Sequence, residues 1–365
     1  MRAVLIAVLW LASLAAGAAA VDYPVVRPEV SIDLPRDHGA HPAFRVEWWY
    51  VTGWLEAIED GKPVTMGFQV TFFRVRPGVQ ENNPSRFAAS QILFAHAALS
   101  DPRRGRLMHA ERTARAGFGL AQASEGDLDV RLDDWSMRRE GAGDGEAILA
   151  RVAGRDFAYD LRLVPTGPAL LNGQRGFSQK APDPRHSSHY YSLPQLAVSG
   201  KLTREGRTLA VSGRAWFDHE WSSEYLPETA SGWDWFGINL ADGGALMAFR
   251  MRGKDGAALW AGATLRRADG RVEALGPRDV AFEPQREWTS PRTGSRYPVA
   301  MRVRLSTSLG PLVGELTPLF DDQELDSRRS TGAVYWEGAV VLSTGGKELG
   351  RGYLELTGYR ERLRM

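Results

Sequence analysis

Cysteine is absent from the 365-residue chain. That excludes disulfide staples and a lipid-anchored cysteine behind an export signal, so stability has to come from burial alone. An excess of charge of one sign is missing too. The chain sets 45 Lys and Arg against 44 Asp and Glu with no long like-charged run, a balance unlike that of a nucleic-acid-binding protein. No Gly-x-Ser-x-Gly elbow and no His-Glu-x-x-His helix occurs, which removes the serine triad of an α/β-hydrolase and the zincin site from consideration. The 7 histidines include His38-x-x-His41 and His186-x-x-His189. Their spacing suits a metal, but both pairs stand in proline-bearing loops without cysteine, so neither a metal nor an organic cofactor is expected. Past residue 20 no apolar run is long enough to span a membrane.

Residues 1–20 read as a secretory signal. Arg2 supplies the positive charge, Val4 to Leu14 an apolar run, and Ala18-Ala19-Ala20 a small-residue cleavage site before Val21. A periplasmic or secreted protein is therefore expected. The remaining chain, about 345 residues, exceeds what one core usually serves. Two domains are expected, 21–215 and 216–365, the first containing a long proline-bearing connection at 165–194.

Short segments rich in apolar, β-branched and aromatic residues recur at 47–55, 64–74, 90–99, 147–152 and 157–164. They continue at 196–202, 208–217, 235–240, 245–252, 257–265, 299–305, 334–342 and 348–356. Turn signals such as Asp101-Pro102-Arg103-Arg104-Gly105 and Ala241-Asp242-Gly243-Gly244 separate them, the spacing of antiparallel barrels or sandwiches. No helix longer than a turn or two is predicted. Glu47-Trp48-Trp49-Tyr50 and Trp233-Asp234-Trp235-Phe236 form a faint echo, each opening a run of strands. Gly53, Gly67, Gly213 and Gly237 inside strands mark bends or close backbone approach.

The densest chemistry lies in Trp216-Phe217-Asp218-His219-Glu220-Trp221, followed by Trp233-Asp234-Trp235. In an extended segment Trp216, Asp218 and Glu220 share one face while Phe217, His219 and Trp221 share the other. A carboxyl among rings is poorly solvated when charged and stays protonated near neutral pH, as a proton-donating catalyst requires. The competing reading makes His219 and Glu220 structural hydrogen-bonding groups and the tryptophans core.

Four stretches in order, Glu47-Trp48-Trp49-Tyr50-Val51-Thr52-Gly53, Tyr190-Tyr191-Ser192 with Pro194, Gly213-x-Ala215-Trp216-x-Asp218-His219-Glu220-Trp221, and Trp233-Asp234-Trp235, resemble the AttH-type secreted proteins. That family is related to bacterial carotenoid 1,2-hydratase and, more remotely, to fungal lipocalin-like Diels–Alderases. The resemblance implies two lipocalin-like antiparallel β-barrel domains packed side by side, with an apolar cavity at their interface. If the hydratase relation extends to chemistry, it implies protonation of an alkene, stabilisation of the cation and admission of one water, with no cofactor. His219 and Trp221 match the His-x-Trp of the hydratases. One departure concerns the strand that follows, where those hydratases carry Tyr-x-Asp; here 245–250 has no acid. AttH-type proteins are often labelled hydrolases, and no nucleophile for that activity is visible.

The expected acid–base residues are therefore Asp218, His219, Glu220 and Asp234. The expected walls of an apolar ligand site are Trp49, Tyr191, Trp216, Trp221, Trp233 and Trp235, the last four able to hold a cation over their faces. Arg74, Arg250 and Arg252 are candidates to hold a carboxylate. The partner expected is a small apolar ligand, with envelope or membrane transport machinery following from export. A cofactor-independent hydratase, isomerase or cyclase and a non-catalytic periplasmic lipid carrier both fit; barrels packed solid would make the protein structural.

Overall fold

The computed structural model describes residues 21–79, 83–85 and 87–363; the export signal read at 1–20 lies outside them. Among the described residues there is no α-helix, only 3-10 turns at Arg36–His38 and Gly143–Gly145. The first sheet uses β1 (Val46–Glu59), β2 (Lys62–Val75), β3 (Ile92–Ser100), β4 (Met108–Arg115), β5 (Ala121–Ala123), β6 (Asp129–Leu132) and β7 (Trp135–Glu140). It continues with β8 (Ala147–Ala153), β9 (Phe157–Val164), β10 (Leu170–Leu171), β11 (Phe177–Gln179), β12 (Ser187–Arg204) and β13 (Arg207–Ser222). The second sheet uses β14 (Ala230–Leu240), β15 (Ala245–Gly253), β16 (Ala258–Arg266), β17 (Val272–Leu275) and β18 (Val280–Thr289). It ends with β19 (Arg296–Thr307), β20 (Gly310–Pro318), β21 (Glu324–Ser327), β22 (Ala333–Thr344) and β23 (Lys347–Leu356).

The strand orders are β4-β3-β2-β1-β13-β12-β9-β8-β7-β6-β5 and β17-β16-β15-β14-β23-β22-β20-β19-β18. In both, a meander runs outward from the first strand, and the last strand returns to pair with the first: β13 on β1, β23 on β14. The far edges curl back, β4 towards β6 and β16 towards β18. Each sheet thus wraps its own apolar core, the first around residues such as Trp49, Phe68 and Phe217, the second around Phe236, Met301 and Trp336. This is the all-β, two-barrel lipocalin-like architecture expected from the sequence.

Two boundaries differ from expectation. The division placed at 215/216 falls inside β13, which pairs with β1 from Ser212 to Ser222; the chain crosses between sheets at 223–229. The irregular connection expected over 165–194 is shorter, because β12 already begins at Ser187. Pro194 is accommodated at a bulge where the register on β13 shifts between Leu193 and Leu196, since no ladder N–H is needed from it there.

The barrels meet through the outward faces of β1 and β13 on one side and of β14, β15, β22 and β23 on the other. A third core forms there around Tyr50, Trp54, Tyr190, Trp216, Trp235 and Phe249. Fully burying each such ring contributes on the order of 1.5–3 kcal/mol. The Trp54 indole N–H donates across the contact to the Gly352 carbonyl at 3.0 Å. At Gly67 a Cβ would stand 2.6 Å from both Ala339 Cβ and Tyr353 Oη, so the contact requires glycine.

Candidate functional site between the barrels

Strand alternation sorts the motif on β13. Trp216, Asp218 and Glu220 face the second barrel, while Phe217, His219 and Trp221 face the interior of the first. The motif therefore serves two separate places.

On the interface side Asp218 and Glu220 meet Glu337 of β22 and Glu355 of β23, and all four line a cavity of about 50 Å³. Its remaining wall is largely aromatic: Trp48, Tyr50, Phe73, Tyr225, Trp233 and Trp235. Glu337 and Glu355 are direct cross-strand neighbours, so ionising both sets two like charges side by side in a dry site. Burial, and then the Glu355 carboxylate, pushes Glu337 well above the usual carboxylate range. Burial raises Glu355 to about 7, against the Trp233 indole N–H that donates to it at 2.9 Å. The pair shares its titration, and both members are raised.

Asp218 is raised to about 7 by burial, although Ser192 Oγ, Tyr190 Oη and Trp216 Nε1 donate to it at 2.6, 2.7 and 2.6 Å. Tyr190 Oη also accepts from Trp235 Nε1 at 3.0 Å, so one hydrogen-bonded chain links an aromatic wall to the carboxyl. Glu220 is ion-paired with Lys180, Nζ to Oε1 2.7 Å, and accepts from the Ser188 hydroxyl. Burial raises Glu220 and lowers Lys180, each held back by the other. The Lys180 ammonium stands 4.4 Å from the Phe249 ring centroid and 4.9 Å from that of Tyr190, a favourable setting for a cation deprived of water.

On the barrel side His219 is fully buried. Its Nε2 lies 3.0 Å from Glu47 Oε1 and its Nδ1 3.0 Å from the Asp37 carbonyl. Trp49 stacks on its ring at 4.9 Å. His41 Nδ1 lies 2.7 Å from the same Glu47 oxygen, and its ring stacks on Trp221 at 3.8 Å. Burial works to raise Glu47, but the Arg74 guanidinium and the two histidines hold it well below the carboxylate range. His38 parts from His41, its Nδ1 lying 2.6 Å from Tyr191 Oη.

The model of a family described as AttH-like matches residues 25–359. The chain belongs to the AttH-like family. This AttH-like protein is 50% identical to a crystallised protein of Nitrosomonas europaea assigned as an AttH. The likeness covers 92% of this chain and 99% of that one, with a TM-score of 0.83. It also resembles kievitone hydratase from Nectria haematococca, at 16% identity over 94% of this chain and 97% of that one, TM-score 0.67, a likeness of fold alone. The fold likeness extends to CghA, at 12% identity and a TM-score of 0.51 over 90% and 94% of the two chains. No curated protein matches the chain.

In this AttH-like protein the residues singled out in the sequence separate into three places. Asp218, Glu220, Trp216, Trp233 and Trp235 gather at the interface. His219, Trp49, Trp221 and Tyr191 face the first barrel's interior. Asp234 lies on the opposite face of β14 from Trp233 and Trp235. There Arg250 Nε and Arg252 Nε bond it at 2.9 and 3.0 Å, and the Tyr359 hydroxyl donates to it at 2.9 Å. Arg74, Arg250 and Arg252 hold carboxylates of the protein itself. Sequence reading missed Glu337, Glu355 and Lys180. A signal for the two glutamates was present: each follows a tyrosine by two residues inside an apolar strand, in Tyr335-Trp336-Glu337 and Tyr353-Leu354-Glu355.

Proposed function

We propose that this protein is a cofactor-independent hydro-lyase that adds water to an alkene of an apolar, isoprenoid-like substrate at the interdomain cavity. The observation that supports this is the convergence of four buried carboxyls, two of them cross-strand neighbours, on one aromatic-lined cavity. Glu337, held neutral, protonates one alkene carbon. The cation left on the neighbouring carbon lies against the faces of Tyr50 and Trp235, whose rings meet edge to face at 5.4 Å. A water adds to that carbon and gives its proton to Glu355, and exchange within the pair restores the neutral Glu337. Alkene and water become the alcohol, and the enzyme is unchanged. The fold shared with kievitone hydratase agrees with this reading.

A cavity of about 50 Å³ takes a water or the last carbons of a chain, well below the roughly 300–1,000 Å³ of pockets that enclose a whole drug-sized ligand. The rest of the substrate then lies outside, over the half-buried Trp48 and Phe73. The signal read at 1–20 supports a reaction in the periplasm or outside the cell, with substrate drawn from the envelope. The test is a panel of prenylated phenols and acyclic polyenes incubated with the protein, with mass spectrometry reading the gain of one water. Turnover should vanish in Glu337→Gln and persist in Asp234→Asn; a water adduct formed equally well by Glu337→Gln defeats the assignment.

A further inference from the structure

We propose that His41, Glu47 and His219 bind a divalent transition-metal ion of the zinc class at the mouth of the first barrel. The site lies on the opposite face of β13 from the interface carboxyls and does not depend on their role. One ligand atom from each of the three residues lies within 4.8 Å of the others. Their origins differ: a loop behind the 3-10 turn for His41, β1 for Glu47, β13 for His219.

His219 Nδ1 lies 3.0 Å from the Asp37 carbonyl and 3.3 Å from the Tyr191 hydroxyl, while its Nε2 lies 3.0 Å from Glu47 Oε1. His41 stands between two carboxylates, its Nε2 3.5 Å from Asp37 Oδ1 and its Nδ1 2.7 Å from Glu47 Oε1. One nitrogen of each imidazole and one carboxylate oxygen thus meet at one point, where a divalent cation would take the place of the ring hydrogens shared with Glu47, leaving the Asp37 carbonyl to accept from His219 Nδ1–H.

The surroundings are those of metal ligands. Each histidine presents its far nitrogen to an oxygen acceptor, the usual outer support of a metal-bound imidazole. Glu47 Oε2 is oriented by Arg74 Nε at 2.7 Å, and the His41 backbone N–H is shared between Oε2 at 2.9 Å and Oε1 at 3.1 Å, so Oε1 is the oxygen turned towards both imidazoles. Two imidazoles and one carboxylate suit zinc, with a fourth position for water. His189 stands on the same side, its ring 5.3 Å from Trp221, and its buried Nδ1 has no hydrogen-bond partner. Binding at His41 ties residues 36–44 to β1 and β13 and so fixes that segment across the barrel mouth.

The full-length mature protein, stripped with a chelator, is titrated with Zn²⁺ alone. Uptake of about one ion per chain and a raised melting temperature are expected, and Co²⁺ in its place should give the visible absorption of a four-coordinate site. His41 is the partly exposed member, so His41→Ala is the variant of choice, with circular dichroism checking its fold. It should weaken Zn²⁺ binding by about tenfold or more, while Glu337→Gln leaves binding unchanged. If His41→Ala does not fold, the Co²⁺ spectrum of the unmutated protein decides alone. Absence of ion uptake and of any melting shift overturns the proposal and leaves a proton-linked His–Glu–His set. Unchanged binding in a folded His41→Ala overturns it as well.

Discussion

Glu337 and Glu355 oppose each other across β22 and β23. Glu337→Gln keeps the shape and removes a buried acid; it should fold and lose turnover, with Glu355 still raised by burial. Stability should carry the same signature. Asp218 and Glu355 rise from 3.8 and 4.5 to about 7 in the folded protein, so between about pH 4 and 7 these two groups bind more protons in the folded chain than in the unfolded one. Their contribution to stability therefore falls as pH rises through that window and stays reduced above it, while the buried histidines His38, His96 and His189, lowered to about 4, 3 and 4, contribute with the opposite sign. The melting temperature of the unmutated protein should fall relative to that of Asp218→Asn between about pH 4 and about pH 7. Hydration should rise as pH passes about 7, where Glu355 ionises and can take the water's proton while Glu337 is still protonated.

The two-sided use of β13 follows from strand alternation, which is why the faces of Asp218 and His219 were legible in the sequence. Pairing was not. Nothing local in residues 333–356 says that β22 and β23 return to β14 and bring Glu337 and Glu355 against β13; that depends on closure of the second sheet. Lys180 was hidden for a similar reason, since it sits between strands in a proline-bearing stretch and is placed only by packing under Tyr190 and Phe249. Strands β4 and β18 escaped because they lie at sheet edges, where solvated residues blur the period of two. Gly237 was marked as a close approach, and the structure supplies the reason. A Cβ there would stand 2.8 Å from Trp235 and 3.0 Å from Trp216. Gly237→Ala should cost about 1–3 kcal/mol by overpacking the interface, read from the shift in urea midpoint.

Across the whole molecule the faint echo between Glu47-Trp48-Trp49 and Trp233-Asp234-Trp235 acquires a structural meaning. Each first strand turns an acid inward, directly opposite an arginine on the second strand: Glu47 against Arg74, Asp234 against Arg250. Asp234 is thus the counterpart of Glu47 and not of the interface carboxyls. Asp234→Ala, which strands the buried Arg252 and the half-buried Arg250, should destabilise by about 3–5 kcal/mol, measured by denaturant unfolding. The barrels share a third core of large rings, so the intact chain should unfold in one transition. Trp235→Ala, which opens that core, should separate two in calorimetry.

The most direct test is the infrared absorption of carboxyl groups in the folded protein at neutral pH. A protonated carboxyl in a dry, aromatic-lined cavity absorbs apart from carboxylates and backbone. Such a band should be present in the unmutated protein at neutral pH, diminish in Glu337→Gln, and remain unchanged in Asp234→Asn. A spectrum without any protonated carboxyl at neutral pH, or a band indifferent to Glu337→Gln, would contradict the assignment of the interdomain cavity as a proton-donating site.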